Sequence, residues 1–191
     1  MKLFAASVFC LCLMAAASRA ADVNIATLSC VRYQNEMLAT PAAGPSTDPI
    51  NIVMWLFGYS VAKSGARVMY GDALAGFGFS LDAECKNNPA ESLLDALSTV
   101  KPNSKNPMDL NSLDCATFAS RHVELTRSDS ESADTIMMWL FGFAVASSGS
   151  HIYDSSSFGP FQTALMADCA KHPERSLFDT LGAVKYSKPK A

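Results

Sequence analysis

Two stretches of this chain carry large apolar side chains on nearly every side. The first runs from Ile50 to Ala62 and the second lies between Ser130 and Ser147. Neither alternates with the two-residue period of a half-buried strand. Asp48 before Pro49 is a helix start, with Asp as cap and Pro at the first helical position. Ser64-Gly65 and Ser148-Gly149 supply the stops, and Ser130 to Asp134 open the second helix. A helix that is apolar all round is a buried one. Another helix is predicted through Ala73 to Cys85, with its partner through Phe161 to Cys169, where Phe161, Leu165 and Cys169 recur at helical spacing. Asn88-Pro89-Ala90-Glu91 reads as the capped start of a further helix, whose stripe is Leu93, Leu94, Leu97 and Val100. The counterpart of that stripe is Leu177, Phe178, Leu181 and Val184. Short helices are predicted over Cys30 to Met37 and Cys115 to Val123.

These elements come in pairs because the sequence is written twice. Ile52-Val53-Met54-Trp55-Leu56-Phe57-Gly58-Tyr59 aligns with Ile136-Met137-Met138-Trp139-Leu140-Phe141-Gly142-Phe143 at an offset of 84. The same offset carries Ser64-Gly65 onto Ser148-Gly149, Cys85 onto Cys169, Pro89 onto Pro173, Asp95 onto Asp179 and Val100-Lys101 onto Val184-Lys185. Cys30 maps onto Cys115 at an offset of 85. A unit this long implies a tandem duplication rather than a solenoid. The expected organisation is a signal peptide over 1–20, one repeat over 21–101, a linker over 102–108 and a second repeat over 109–191. The expected fold is all-α: two similar small domains of about four helices, each clamped by one disulfide.

The clamp follows from the chain's N-terminus. Lys2, a short apolar run from Leu3 to Ala17, and Ser18-Arg19-Ala20 before Ala21 form an export signal. The run of about 15 residues is short against the roughly 20 that span a membrane. Removing it leaves four cysteines, Cys30, Cys85, Cys115 and Cys169, in an oxidising compartment. Four cysteines allow three pairings. Only Cys30–Cys85 with Cys115–Cys169 lets each repeat keep its own bridge.

Composition removes several functions. Charged residues are only 17% of the chain and hydrophobic ones 49%, which fits neither a disordered nor a nucleic-acid-binding protein. The formal charge is −3, and −5 once Lys2 and Arg19 leave with the signal. His122, His151 and His172 all fall in the second repeat. Ser150-His151 has no third partner at triad spacing, and His172 sits at an expected cap position before Pro173. No metal-ligand or phosphate-loop pattern occurs, so no cofactor is expected. Asp95 and Asp179 belong on solvated helix faces.

The remaining unusual feature is the doubled apolar block: Met54, Trp55, Leu56, Phe57 and Tyr59, then Met137, Met138, Trp139, Leu140, Phe141 and Phe143. A 75-residue domain has too little core to bury every face of such a helix. Part of the block is therefore expected to pack against the other repeat or to serve clients, since Met and aromatic side chains suit adaptable surfaces.

These residues resemble the HdeA/HdeB family. The likeness rests on Cys30, Trp55-Leu56-Phe57-Gly58-Tyr59, Cys85, Pro89 and Leu93. It rests again on Cys115, Phe118, Trp139-Leu140-Phe141-Gly142-Phe143, Cys169, Pro173 and Leu177. What it implies is a periplasmic acid-stress chaperone that is folded at neutral pH. In acid it would loosen and expose apolar surface to unfolding or partly unfolded periplasmic proteins. Chaperones of that family are single domains that dimerise, so a tandem chain implies an intramolecular pseudo-dimer with the Trp55 and Trp139 helices face to face. Full protonation would take the exported chain from −5 to +16, with 13 Lys/Arg and 3 His charged. A second reading is a periplasmic binding module of the inhibitor or immunity type, with one dedicated protein partner.

Overall fold

The computed structural model describes residues 22–39, 44–70, 73–101 and 107–184; the expected signal peptide over 1–20 and residues 102–106 of the expected linker lie outside the described residues. The first half contains β1 (Val23–Asn24), α1 (Cys30–Arg32), α2 (Pro49–Lys63), β2 (Val68–Met69), α3 (Leu74–Asn87) and α4 (Leu93–Thr99). The second contains β3 (Met108–Asp109), α5 (Cys115–Ser128), α6 (Ser130–Ser147), β4 (Ile152–Tyr153), α7 (Phe158–Lys171) and α8 (Leu177–Ala183). Each half thus has four α-helices among the described residues. The α1 segment widens into a π-helical turn over Tyr33–Leu38, whereas its counterpart α5 continues as a regular helix.

The fold is mostly helical rather than all-α. Two short antiparallel ribbons join the halves. Val23 lies opposite Tyr153 and Asn24 opposite Ile152, while Val68 lies opposite Asp109 and Met69 opposite Met108. Met108, expected in the linker, is therefore a strand residue. Strands of two residues carry no period for the sequence to show. The ribbons are extended by Ile25 N–H to His151 O and by Leu110 N–H to Arg67 O, both 2.9 Å. Each of these contacts maps onto the other by the same shift of 84 or 85 that aligns the sequence halves. The chain is consequently pseudo-two-fold, and each half contributes a strand to the other.

Both helical hairpins are pinned in the same way. Disulfides join Cys30 to Cys85 and Cys115 to Cys169, so that α1 is tied to α3 and α5 to α7. The turn after α3 lies against the start of α1: Cys30 N–H donates to Glu91 O at 2.9 Å and Val31 N–H to Pro89 O at 3.0 Å. Cys115 and Ala116 repeat this with Arg175 and Pro173, at 2.9 Å each. The expected cap at Asn88 is corrected here. Asn88 closes α3, its N–H donating to Glu84 O at 2.9 Å, and His172 closes α7 in the same manner through Asp168 O at 3.0 Å. The true N-caps of α4 and α8 are Ser92 and Ser176. Their backbone is extended, and their hydroxyls accept the Asp95 and Asp179 N–H groups, each at 3.1 Å. An extended residue is needed there because only that geometry aims the side chain at the first-turn N–H groups.

One hydrophobic core runs through both halves. Its spine is α2 packed on α6, the most extensive helix pair among the described residues. Ten residues of α2 and eleven of α6 are buried, which explains their lack of a polar face. Both helices end on a glycine in the left-handed region, Gly65 at φ 75° and Gly149 at φ 76°, the conformation a helix C-terminus favours and a Cβ resists.

Candidate functional site

The doubled apolar block forms the seam between the halves. Contacts advance in the same direction along both helices, from Asn51 with Thr135 to the later pair Trp55 and Gly58 against Trp139 and Gly142, so α2 and α6 run parallel. At the crossing, a Cβ on Gly58 would lie 2.0 Å from the Trp139 carbonyl oxygen, and one on Gly142 would lie 1.9 Å from the Trp55 carbonyl oxygen. Any side chain there would hold the helices apart. Near the N-terminal ends the seam carries a polar contact, Thr135 Oγ1 donating to Asn51 Oδ1 at 2.9 Å.

Met54, Trp55, Leu56, Phe57, Tyr59, Met137, Met138, Trp139, Leu140, Phe141 and Phe143 are all buried, none more than 7% exposed. None of them offers a client surface in the folded state. The block divides by direction. Trp55 crosses the seam, with ring centroids 5.0 Å from Tyr153 and 6.5 Å from Phe141. Phe57 turns inward onto Phe77 at 4.6 Å, and its counterpart Phe141 onto Phe161 at 5.2 Å. Tyr59 and His151 share a short hydrogen bond across the seam, and Tyr153 donates to the Ser46 carbonyl. The Trp55 and Trp139 Nε1–H groups are buried with no acceptor among the described residues.

Titratable groups sit around the second half of the seam. His122 is stacked on Phe118 at 5.9 Å and its Nδ1 is buried with no hydrogen-bond partner among the described residues. Burial holds its pKa below the usual histidine value, and the Asp134 carboxylate offsets this only in part. Burial correspondingly raises Asp134, against the pull of His122. Asp114 caps α5, and the Thr117 N–H it accepts at 2.7 Å holds its carboxyl below the usual range. Asp129 caps α6 and is lowered by the Ser132 hydroxyl and N–H. Burial pushes Asp154 up, and hydrogen bonds from Ser156 and Ser157 more than offset it.

Sequence reasoning did not single out the two seam glycines, Asn51, Thr135 or these caps. The available signal was a glycine at the same place in both apolar helices. His151 does not pair with Ser150 for catalysis; it bonds Tyr59. Asp95 lies on an exposed face and accepts the Ser92 hydroxyl at 2.7 Å. Among the described residues there is no cluster of three or more His, Cys, Asp or Glu that could hold a metal, and no helix is long and apolar enough to cross a membrane.

Residues 96–179 match the HdeA/HdeB family. The matched segment begins in α4 and ends in α8, and so spans one full repeat length, including the Cys115–Cys169 bridge and the Trp139 helix. That family is not one of enzymes. No curated protein and no solved structure matches the chain.

Proposed function

We propose that this protein is a periplasmic acid-stress chaperone, built as a duplicated unit whose client surface is the seam between its halves. The observation that carries this reading is the burial of eleven large apolar side chains along α2 and α6, where two halves meet through packing and two short ribbons. Acid weakens that meeting from one side. The folded state favours neutral His122, so as pH falls below 6.5 the unfolded chain takes up the proton first and stability is lost until the lowered folded pKa is passed. Asp114, Asp129 and Asp154 are lowered, so what they contribute is present above pH 3.8 and is lost as pH falls through their folded values. Asp134 acts in the opposite sense, because its raised pKa lets the folded state bind its proton first. Full protonation brings the exported chain to a net charge of about +16, and repulsion then favours opening. The disulfides keep each helical hairpin closed while the seam parts. The match of residues 96–179 to the HdeA/HdeB family supports the same assignment and compartment.

The test is light scattering from an acid-labile periplasmic protein at pH 2–3, with the chaperone in stoichiometric excess. Suppressed aggregation in acid and none at pH 7 is expected. Aggregation unchanged at pH 2–3 removes the proposal. One tight partner captured at neutral pH would favour the dedicated binding module instead.

A further inference from the structure

The two halves differ in one cleft. In the second half, the Arg67 guanidinium reaches across from the first and lies 4.3 Å from the centroid of Phe178, which also meets Phe143 at 6.1 Å. The positions related by the repeat are His151, Leu94 and Tyr59. His151 is shorter than arginine and is committed to the Tyr59 hydroxyl, and leucine replaces the phenylalanine ring. On that side a cavity of about 540 Å³ lies between the C-terminal turns of α2 and helix α4. That volume lies within the range of small-molecule sites.

The lining is graded. Tyr59, Leu97 and Val100 are buried at the floor, and Leu94 and Tyr70 form half-buried walls. Lys63, Lys101 and Asp95 stand exposed at the rim. Neither lysine is in an ion pair among the described residues, whereas the Asp95 carboxylate accepts the Ser92 hydroxyl. Two cations and one anion leave the rim with a single net positive charge above a largely apolar well that also carries Ser60, Ser64 and Ser98.

We infer that this cleft binds an amphipathic monoanion, a carboxylate on a single aliphatic chain, with the chain on Leu94, Leu97, Val100 and the two tyrosine rings and the carboxylate between Lys63 and Lys101. At the mirror-related position the protein's own Arg67 guanidinium lies over the Phe178 ring. The site functions in the folded protein at neutral pH, and Tyr59 is common to its floor and to the seam.

The experiment is calorimetric titration of the exported chain at pH 7 with sodium decanoate below its micellar concentration. Saturable binding of one decanoate per chain is expected. Decanol and decyltrimethylammonium should bind roughly tenfold more weakly or worse, because the charge-assisted contact is lost or reversed. Acetate and inorganic phosphate, which lack the chain, should not bind. Leu94→Phe with His151→Arg copies the Arg67 and Phe178 side and should abolish binding. Lys63→Glu with Lys101→Glu alters only exposed side chains and decides the matter if the filling variant does not fold. Absence of saturable decanoate binding, equal affinity for decanol, or binding unchanged by the lysine pair overturns the assignment. Client protection at pH 2–3 reads the seam and not this cleft, so the two proposals fail separately.

Discussion

The first and second halves thread the same path with the same covalent pin, yet they differ in what acid can reach. Where the first half has Met37, Ser29, Ile50 and Tyr70, the second has His122, Asp114, Asp134 and Asp154. The positions that match are the ones that pack: Trp55 with Trp139, Phe57 with Phe141, Gly58 with Gly142, Leu93 with Leu177. The positions that differ lie at helix caps and on the flank of the core. Shared apolar geometry therefore sets the architecture, and the unshared polar positions place four groups of shifted pKa in the second half.

The largest expected effect tests the shared part. Gly58→Ala or Gly142→Ala places a methyl group about 2 Å from a backbone oxygen of the facing helix. A carbonyl within a helix cannot rotate away, so the seam must separate. Each variant should lose more than about 4 kcal/mol in urea unfolding, by the overpacking and core-disruption mechanisms that give the largest mutational losses. The two losses should be equal. A near-parental midpoint for either one would break the pseudo-symmetry of the crossing.

The next effect is also symmetric. The bridges close loops with sequence separations of 55 and 54 residues. Replacing either cysteine pair by serine should cost about 4 kcal/mol on the chain-entropy account. A marked inequality would mean that one half keeps its hairpin by packing alone, and thermal unfolding of the two double variants decides it.

Much of this was legible in the residues. The offset of 84, and of 85 before the one-residue gap, paired the elements and the cysteines, and apolar character all round Ile50 to Ala62 gave a buried helix. What was not legible depends on contacts between distant segments. Ribbons such as Val23–Asn24 with Ile152–Tyr153 are too short to have a period. Asn88 and Pro89 carry cap residue types, but their backbone groups serve the end of α3 and the start of α1, which leaves capping to Ser92. The apolar block could equally be read as surface or seam, because hydrophobicity reports the need for burial and not the partner. His122 follows Phe118 by four residues on α5, so their stacking follows from helical spacing, but its burial needs α6 and α7 packed on α5 and is not legible from spacing alone.

A smaller effect separates the halves. His122→Met installs the residue of the first half in an apolar site lined by Phe118, Leu125 and Ile136. The charged groups around it are Asp134 on α6 and Arg121 and Arg127 on α5. The parent should lose stability as pH falls from 6.5 through the lowered folded pKa, and the variant should be flatter across that window. Urea midpoints measured in steps below pH 7 check this. Met37→His should add a slope of the same sign to the first half. An unchanged slope in His122→Met would remove this histidine from the acid response.

The smallest effect concerns the helix caps, and it isolates the carboxylate from the fold. Asp114 accepts the Thr117 N–H, whereas Ser29, the residue at the matching position, makes no side-chain cap bond. Asp114→Ala should therefore lower stability at pH 7, and Ser29→Ala should leave it unchanged. The Asp114 contribution belongs to the ionised form and is complete above the unfolded value near 3.8. As pH falls through the lower folded value, the parent loses that contribution and the variant has none to lose. The two stability curves must then converge in strong acid. A constant gap between parent and Asp114→Ala down to pH 2 would assign the loss to the α5 terminus as a neutral structure, and the cap would no longer count among the groups that let acid open the second half.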